Sequence, residues 1–158
     1  MQKYISINDY WSWCFEEPPV SKEDLAQIFP LSKEYCAELW NHYISDKVSC
    51  LPLAYTEREH WFWNLKYLDY NYIDDFNNDI TTNFIDLLHN NFLCSKDDMV
   101  IYFVNKFDAI ETTFDVFLRN WMNFLYEDEH PILFCVSTGF AIMFSPDGGV
   151  YGGKRPSG

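Results

Sequence analysis

Four histidines, His42, His60, His89 and His130, and five cysteines, Cys14, Cys36, Cys50, Cys94 and Cys135, are the side chains best suited to metal binding or nucleophilic chemistry. Structural metal sites take their ligands in close pairs, and the chain has neither a Cys-x-x-Cys pair nor two histidines on neighbouring helical turns. The histidines therefore read as ordinary surface or core residues, and no metal or cofactor is expected. An odd number of widely spaced cysteines argues against a disulfide framework and fits a reducing compartment. Neither a Gly-x-Ser-x-Gly elbow nor a cysteine-protease signature supplies a nucleophile. Glu57 with Glu59, or Glu127 with Asp128 and Glu129, have the chemistry for acid–base work. A chain with 24 acidic residues offers such pairs by chance, however, and a solvated face is the simpler reading.

The run Gly148 to Lys154 matches Gly-x-x-x-x-Gly-Lys, the opening of a phosphate loop. Arg155 then stands where that loop needs Ser or Thr, and Pro156 forbids the helix whose N-terminus would hold the phosphates. A glycine-rich turn is expected instead, followed by a flexible tail over 154–158. Taken together, these residues predict a protein that is not an enzyme and that acts by binding.

The elements that would position any site follow from the apolar spacing. Ser21 with Asp24 has the form of a helix start, stopped by Pro30, and Ser32 caps a second helix. There Cys36, Leu39, Trp40, Tyr43 and Ile44 make one apolar face, opposite Lys33, Glu34 and Glu38. Thr56 and Glu59 have capping-box spacing ahead of a ring-dense helix from His60 to Leu68. Asp69 to Asp79 is expected to be irregular surface, and Phe84, Leu87, Leu88 and Phe92 mark another amphipathic helix. Met99 to Val104 reads as a buried strand. Thr112 or Thr113 then caps a helix whose apolar stripe is Phe114, Phe117, Leu118, Trp121, Phe124 and Leu125, with Asp115, Arg119, Asn120 and Asn123 outside. Ile132 to Val136 and Phe140 to Ser145 flank Ser137, Thr138 and Gly139 as a hairpin, and a last short strand follows. The ring-rich segment Tyr10 to Phe15 is expected to be a short strand or extended packing segment. The sum is a single α+β domain over 1–153, with amphipathic helices packed on a small, mainly antiparallel sheet.

A chain of 158 residues can bury a core without staples, and aromatic residues at 20% exceed what such a core needs. The net charge of −13 sits on a sequence too apolar to be a disordered acidic tail. A folded surface of that sign repels nucleic-acid backbones and anionic lipid and steers basic proteins inward. No direct nucleic-acid or membrane contact is expected. Met1 to Asp9 has no apolar run, and no stretch reaches the roughly 18 apolar residues of a membrane span, so a cytoplasmic location is expected.

Two acidic clusters stand out. Asp69, Asp74, Asp75 and Asp79 occur without a basic residue among them, interleaved with Tyr70, Tyr72 and Phe76, and Glu127, Asp128 and Glu129 are consecutive. Rings inside an acidic rim suit the grip of a basic protein, although the same rings can instead anchor the loop to the core. Ile110 to Tyr126, the acids after it, Pro131 and Ile132, the ending Phe144 to Gly148 and the stretch Ser21 to Trp40 resemble a family of short acidic bacterial proteins without a characterised function. In type, not in motif, the chain also resembles immunity proteins encoded beside contact-dependent growth-inhibition toxins. That resemblance implies a cytoplasmic inhibitor that neutralises a toxin domain, such as a nuclease with a basic cleft, in a tight stoichiometric complex. Asp69, Tyr70, Tyr72, Asp74, Asp75, Asp79, Glu127, Asp128 and Glu129 are then the expected partner-binding residues. The alternatives are a small enzyme whose site assembles only in the fold, or an acidic DNA mimic.

Overall fold

The run Met99 to Val104 has no polar face, and a strand of that kind needs cover on both sides. The computed structural model, which describes residues 2–7, 15, 19–47, 61–125 and 130–156, supplies it. Seven strands form one antiparallel sheet: Phe29–Pro30 (β1), Lys66–Asn71 (β2), Met99–Asn105 (β3), Asp108–Thr113 (β4), Ile132–Cys135 (β5), Phe140–Phe144 (β6) and Gly149–Lys154 (β7). Their spatial order is β1-β4-β3-β5-β6-β7-β2. Six α-helices are described: Lys22–Leu25 (α1), Lys33–Tyr43 (α2), Tyr72–Asn77 (α3), Thr82–Asn91 (α4), Phe114–Arg119 (α5) and Trp121–Phe124 (α6). This is the single α+β domain expected, with a sheet that extends well beyond the C-terminal hairpins.

Alternation along the central strands assigns each residue to one of two cores. Val100, Tyr102, Leu133, Ile142 and Phe144 join Phe84, Leu88, Phe114, Phe117 and Trp121 on the face covered by α4, α5 and α6. Ile101, Phe103, Ile132, Phe134 and Met143 meet Cys36 and Trp40 of α2 and its C-cap Ile44 on the other. Burying rings such as Trp40 and Phe84, at 1% and 0% exposure, is worth roughly 1.5–3 kcal/mol each, which makes the aromatic excess largely a core property.

The caps hold as read: Ser21 accepts from the Asp24 N–H, Ser32 from Tyr35 and Thr113 from Val116. Four expectations change. Leu65 follows a 3-10 turn, Trp61–Asn64, and Lys66–Asn71 is strand β2 against β7, so the helix does not reach Leu68. Apolar side chains at alternate positions, Leu68 and Tyr70, find cover there that a helix would not give. Residues 72–77, expected to be irregular, form α3 because Asn71 accepts the Ile73 N–H and caps it. The long helix after Thr113 breaks at Asn120, whose φ of −125° and ψ of 22° leave the helical region, and Asn123 turns inward to 3% exposure. Finally, Lys154 pairs with Phe140, while the Arg155 N–H donates to Gly139 O (2.7 Å) and its guanidinium to His42 O (2.8 Å). The chain is thus held through Arg155, not free from Lys154. Of Tyr10 to Phe15 only Phe15 is described, packed edge-on against Phe124. Thr56, Glu59 and His60 lie outside the described residues.

Candidate functional site

The acidic segment becomes an ordered ledge at the β2 end of the sheet. Asn71 joins its parts: its side chain caps α3 and donates to Asp147 O (2.9 Å), and the Tyr72 N–H donates to Gly148 O (3.0 Å). Asp69 and Asp79 adopt the left-handed conformation, φ 55° and 54°, which Asp tolerates better than most residues. Asp69, Asp74 and Asp79 are exposed and Asp75 is half-buried. Asp86 on α4 extends the set, and no Lys or Arg occurs between Lys66 and Lys96. Lys3 and Arg119 instead pair with Glu111, Asp24 and Asp115.

The rings among these aspartates have other tasks. Tyr72 is 5% exposed, donates its hydroxyl to Ser145 O (3.1 Å) and packs edge-on against Phe144. It is a core residue, which corrects its expected role as a partner-facing anchor. Tyr70 is half-buried against Phe84 and donates its hydroxyl to the Asp75 carboxylate. Burial first, and then that carboxylate, push the Tyr70 phenol well above its ordinary range. Asp75 is therefore an internal acceptor as much as a surface charge. Glu127, Asp128 and Glu129 lie outside the described residues.

A second cluster was not foreseen. Sγ of Cys94, Sγ of Cys135 and a carboxylate oxygen of Asp98 all lie within 4.8 Å of one another. The antiparallel pairing of β3 with β5 produces this, because Val100 faces Cys135 and the start of β3 lies beside the end of β5. Phe92, buried against Phe114 and Phe140, seats the segment that leaves α4, and Cys94 follows it. The turn from Ser95 to Asp98 closes on itself: Asp98 Oδ2 accepts from the Ser95 N–H (2.9 Å) and from the Ser137 hydroxyl (3.0 Å). Ser137 Oγ is also 3.4 Å from Cys135 Sγ. Hydrogen bonds from Cys94 first, and from Ser137 and Thr138, pull the Cys135 thiol down to about 5 against the opposing effect of burial. The same pairing, with burial, pushes the Cys94 thiol above its ordinary range. Cys36, by contrast, is a buried thiol pushed up to about 12 by desolvation, and it bonds Leu31 O.

The two cysteines are separated in sequence by β3, β4, α5 and α6, so no local spacing joins them. A histidine stands five residues before each, His89 before Cys94 and His130 before Cys135, but this spacing does not report the cluster. Neither histidine enters the cluster, and His89 lies edge-on to Phe114.

Fold and sites together define an acidic, ring-rich α+β domain with helices on both faces of an antiparallel sheet. Residues 4–153 match the sequence profile of a family described as "Protein of unknown function (DUF2947)", and the chain belongs to that family. Neither a curated protein nor a solved structure is significantly similar to it. Among the described residues, no helix is long and apolar enough to cross a membrane.

Proposed function

We propose that this protein works by binding a basic protein through the β2–α3–α4 ledge, as an immunity protein does when it neutralises a toxin domain stoichiometrically in the cytoplasm. One observation carries the reading: Asp69, Asp74, Asp75, Asp79 and Asp86 share that ledge with no Lys or Arg between Lys66 and Lys96. Uncompensated carboxylates on rigid elements keep their field directed outward, where it raises the association rate of a cationic partner by about 10- to 1,000-fold. With Tyr72 in the core, recognition rests on charge.

The test is affinity capture from the native cell followed by equimolar titration of each captured basic protein. Its activity should be blocked at a 1:1 ratio, with an association rate that falls as salt rises. The triple variant Asp69→Asn, Asp74→Lys, Asp79→Asn leaves the Asp75–Tyr70 bond intact and should slow association about tenfold or more. Recovery of no basic partner, or an unchanged rate and salt dependence in the triple variant, overturns the proposal.

A further inference from the structure

Cys94, Asp98 and Cys135 present two sulfurs and one carboxylate oxygen to a common point, and we propose that they form a binding site for a thiophilic divalent cation of the Zn²⁺ type. Zinc–sulfur bonds of about 2.3 Å and zinc–oxygen bonds of about 2.0–2.2 Å place tetrahedral ligand atoms roughly 3.5–3.8 Å apart. The three atoms are within 4.8 Å already, so a contraction of at most about 1.3 Å closes the site. Cys135 is fixed on a central strand, whereas Cys94 and Asp98 sit in the half-buried turn between α4 and β3, where such an adjustment is easiest.

The surroundings suit a cation. Asp98 is oriented by two donors on Oδ2, from Ser95 and Ser137, the outer-shell arrangement that aims a metal-binding carboxylate. Ser137 Oγ lies 3.0 Å from Asp98 Oδ2 and 3.4 Å from Cys135 Sγ, so one hydroxyl holds the carboxylate and that sulfur on the same side of the cluster. Two cysteine sulfurs and one carboxylate are a donor set that a thiophilic divalent cation takes. Each cysteine that ligates gives up its thiol proton to solvent as its sulfur takes up the metal. Three protein ligands leave a fourth position for water, as in catalytic rather than closed structural sites.

Titration of the reduced full-length protein with Co²⁺ and then Zn²⁺ tests this. One equivalent of Co²⁺ should develop thiolate-to-metal absorption in the near ultraviolet, and Zn²⁺ should abolish it by displacement. Cys94→Ser, on the half-buried turn, should weaken binding at least tenfold, as should Asp98→Asn, while Cys36→Ser should bind as wild type. Cys135→Ser risks the core, so Cys94→Ser with an unchanged unfolding midpoint decides. Absence of thiolate–metal absorption in the wild type, or its persistence in Cys94→Ser, overturns the site. Formation of a Cys94–Cys135 disulfide with peroxide, in a protein that takes up no metal when reduced, also overturns it and makes the pair a redox dithiol.

Discussion

Asp24 on α1 holds together segments far apart in the chain, and its removal should be costly in a way that can be worked out. Its carboxylate accepts from Arg119 Nη2 (2.6 Å), Arg119 Nε (3.3 Å) and Asn120 Nδ2 (2.9 Å), so one acid pins the break between α5 and α6. The Asp24 side chain is 10% exposed and that of Arg119 is 46% exposed. A hydrogen bond to a charged group contributes about 1.5–3 kcal/mol, but the half-solvated guanidinium, which Asp115 also pairs, moves the pair to the low end. Asp24→Asn keeps the shape, and its loss should be about 1.5–2 kcal/mol, or roughly 3–8 °C in Tm for a domain of this size. Arg119→Met should cost a similar amount, and the double variant should show a coupling of about 1 kcal/mol. Urea denaturation of all four proteins gives that coupling, and a value near zero refutes the pin. The pH dependence gives a second check. Arg119 holds the Asp24 carboxyl below its ordinary value, with burial opposing and Asn120 assisting. A depressed carboxyl contributes its stability above the unfolded pKa of about 4 and loses it as the pH falls through the folded value. The advantage of wild type over Asp24→Asn should therefore be constant above about pH 4 and shrink below it.

Two further substitutions separate scaffold from surface. Gly148 has a φ of +98°, and an added Cβ would collide with the Asn71 amide that caps α3. Gly148→Ala should cost more than about 1 kcal/mol by thermal unfolding, and a variant as stable as wild type would mean that the 145–149 turn is not as described. Tyr72→Phe removes the hydroxyl's bond to Ser145 O and should lower stability by about 1 kcal/mol while leaving association with a basic partner unchanged. A slower association in that variant would return Tyr72 to the interface.

Local signals in the sequence were enough for the helix starts at Ser21, Ser32 and Thr113 and for strands β3, β5 and β6. Ser21, Ser32 and Thr113 each act within four residues, and the apolar spacing of Cys36, Trp40 and Ile44 needs no distant partner to be legible. The polar-free run of β3 likewise announces cover on both faces. By contrast, β2 and β4 were illegible, because their residues are strands only by virtue of β7 and β3 beside them. The same reason governs the sites. Composition alone determined that the surface is acidic and that five aspartates run from 69 to 86 without a basic neighbour. Only tertiary structure decided that Tyr72 packs inward while Asp74 stays outside, since a helix capped by Asn71 fixes which side meets Phe84 and Phe144. Only it, too, brings Cys94 and Asp98 to Cys135, because the register of β3 on β5 sets side by side residues that four elements separate along the chain.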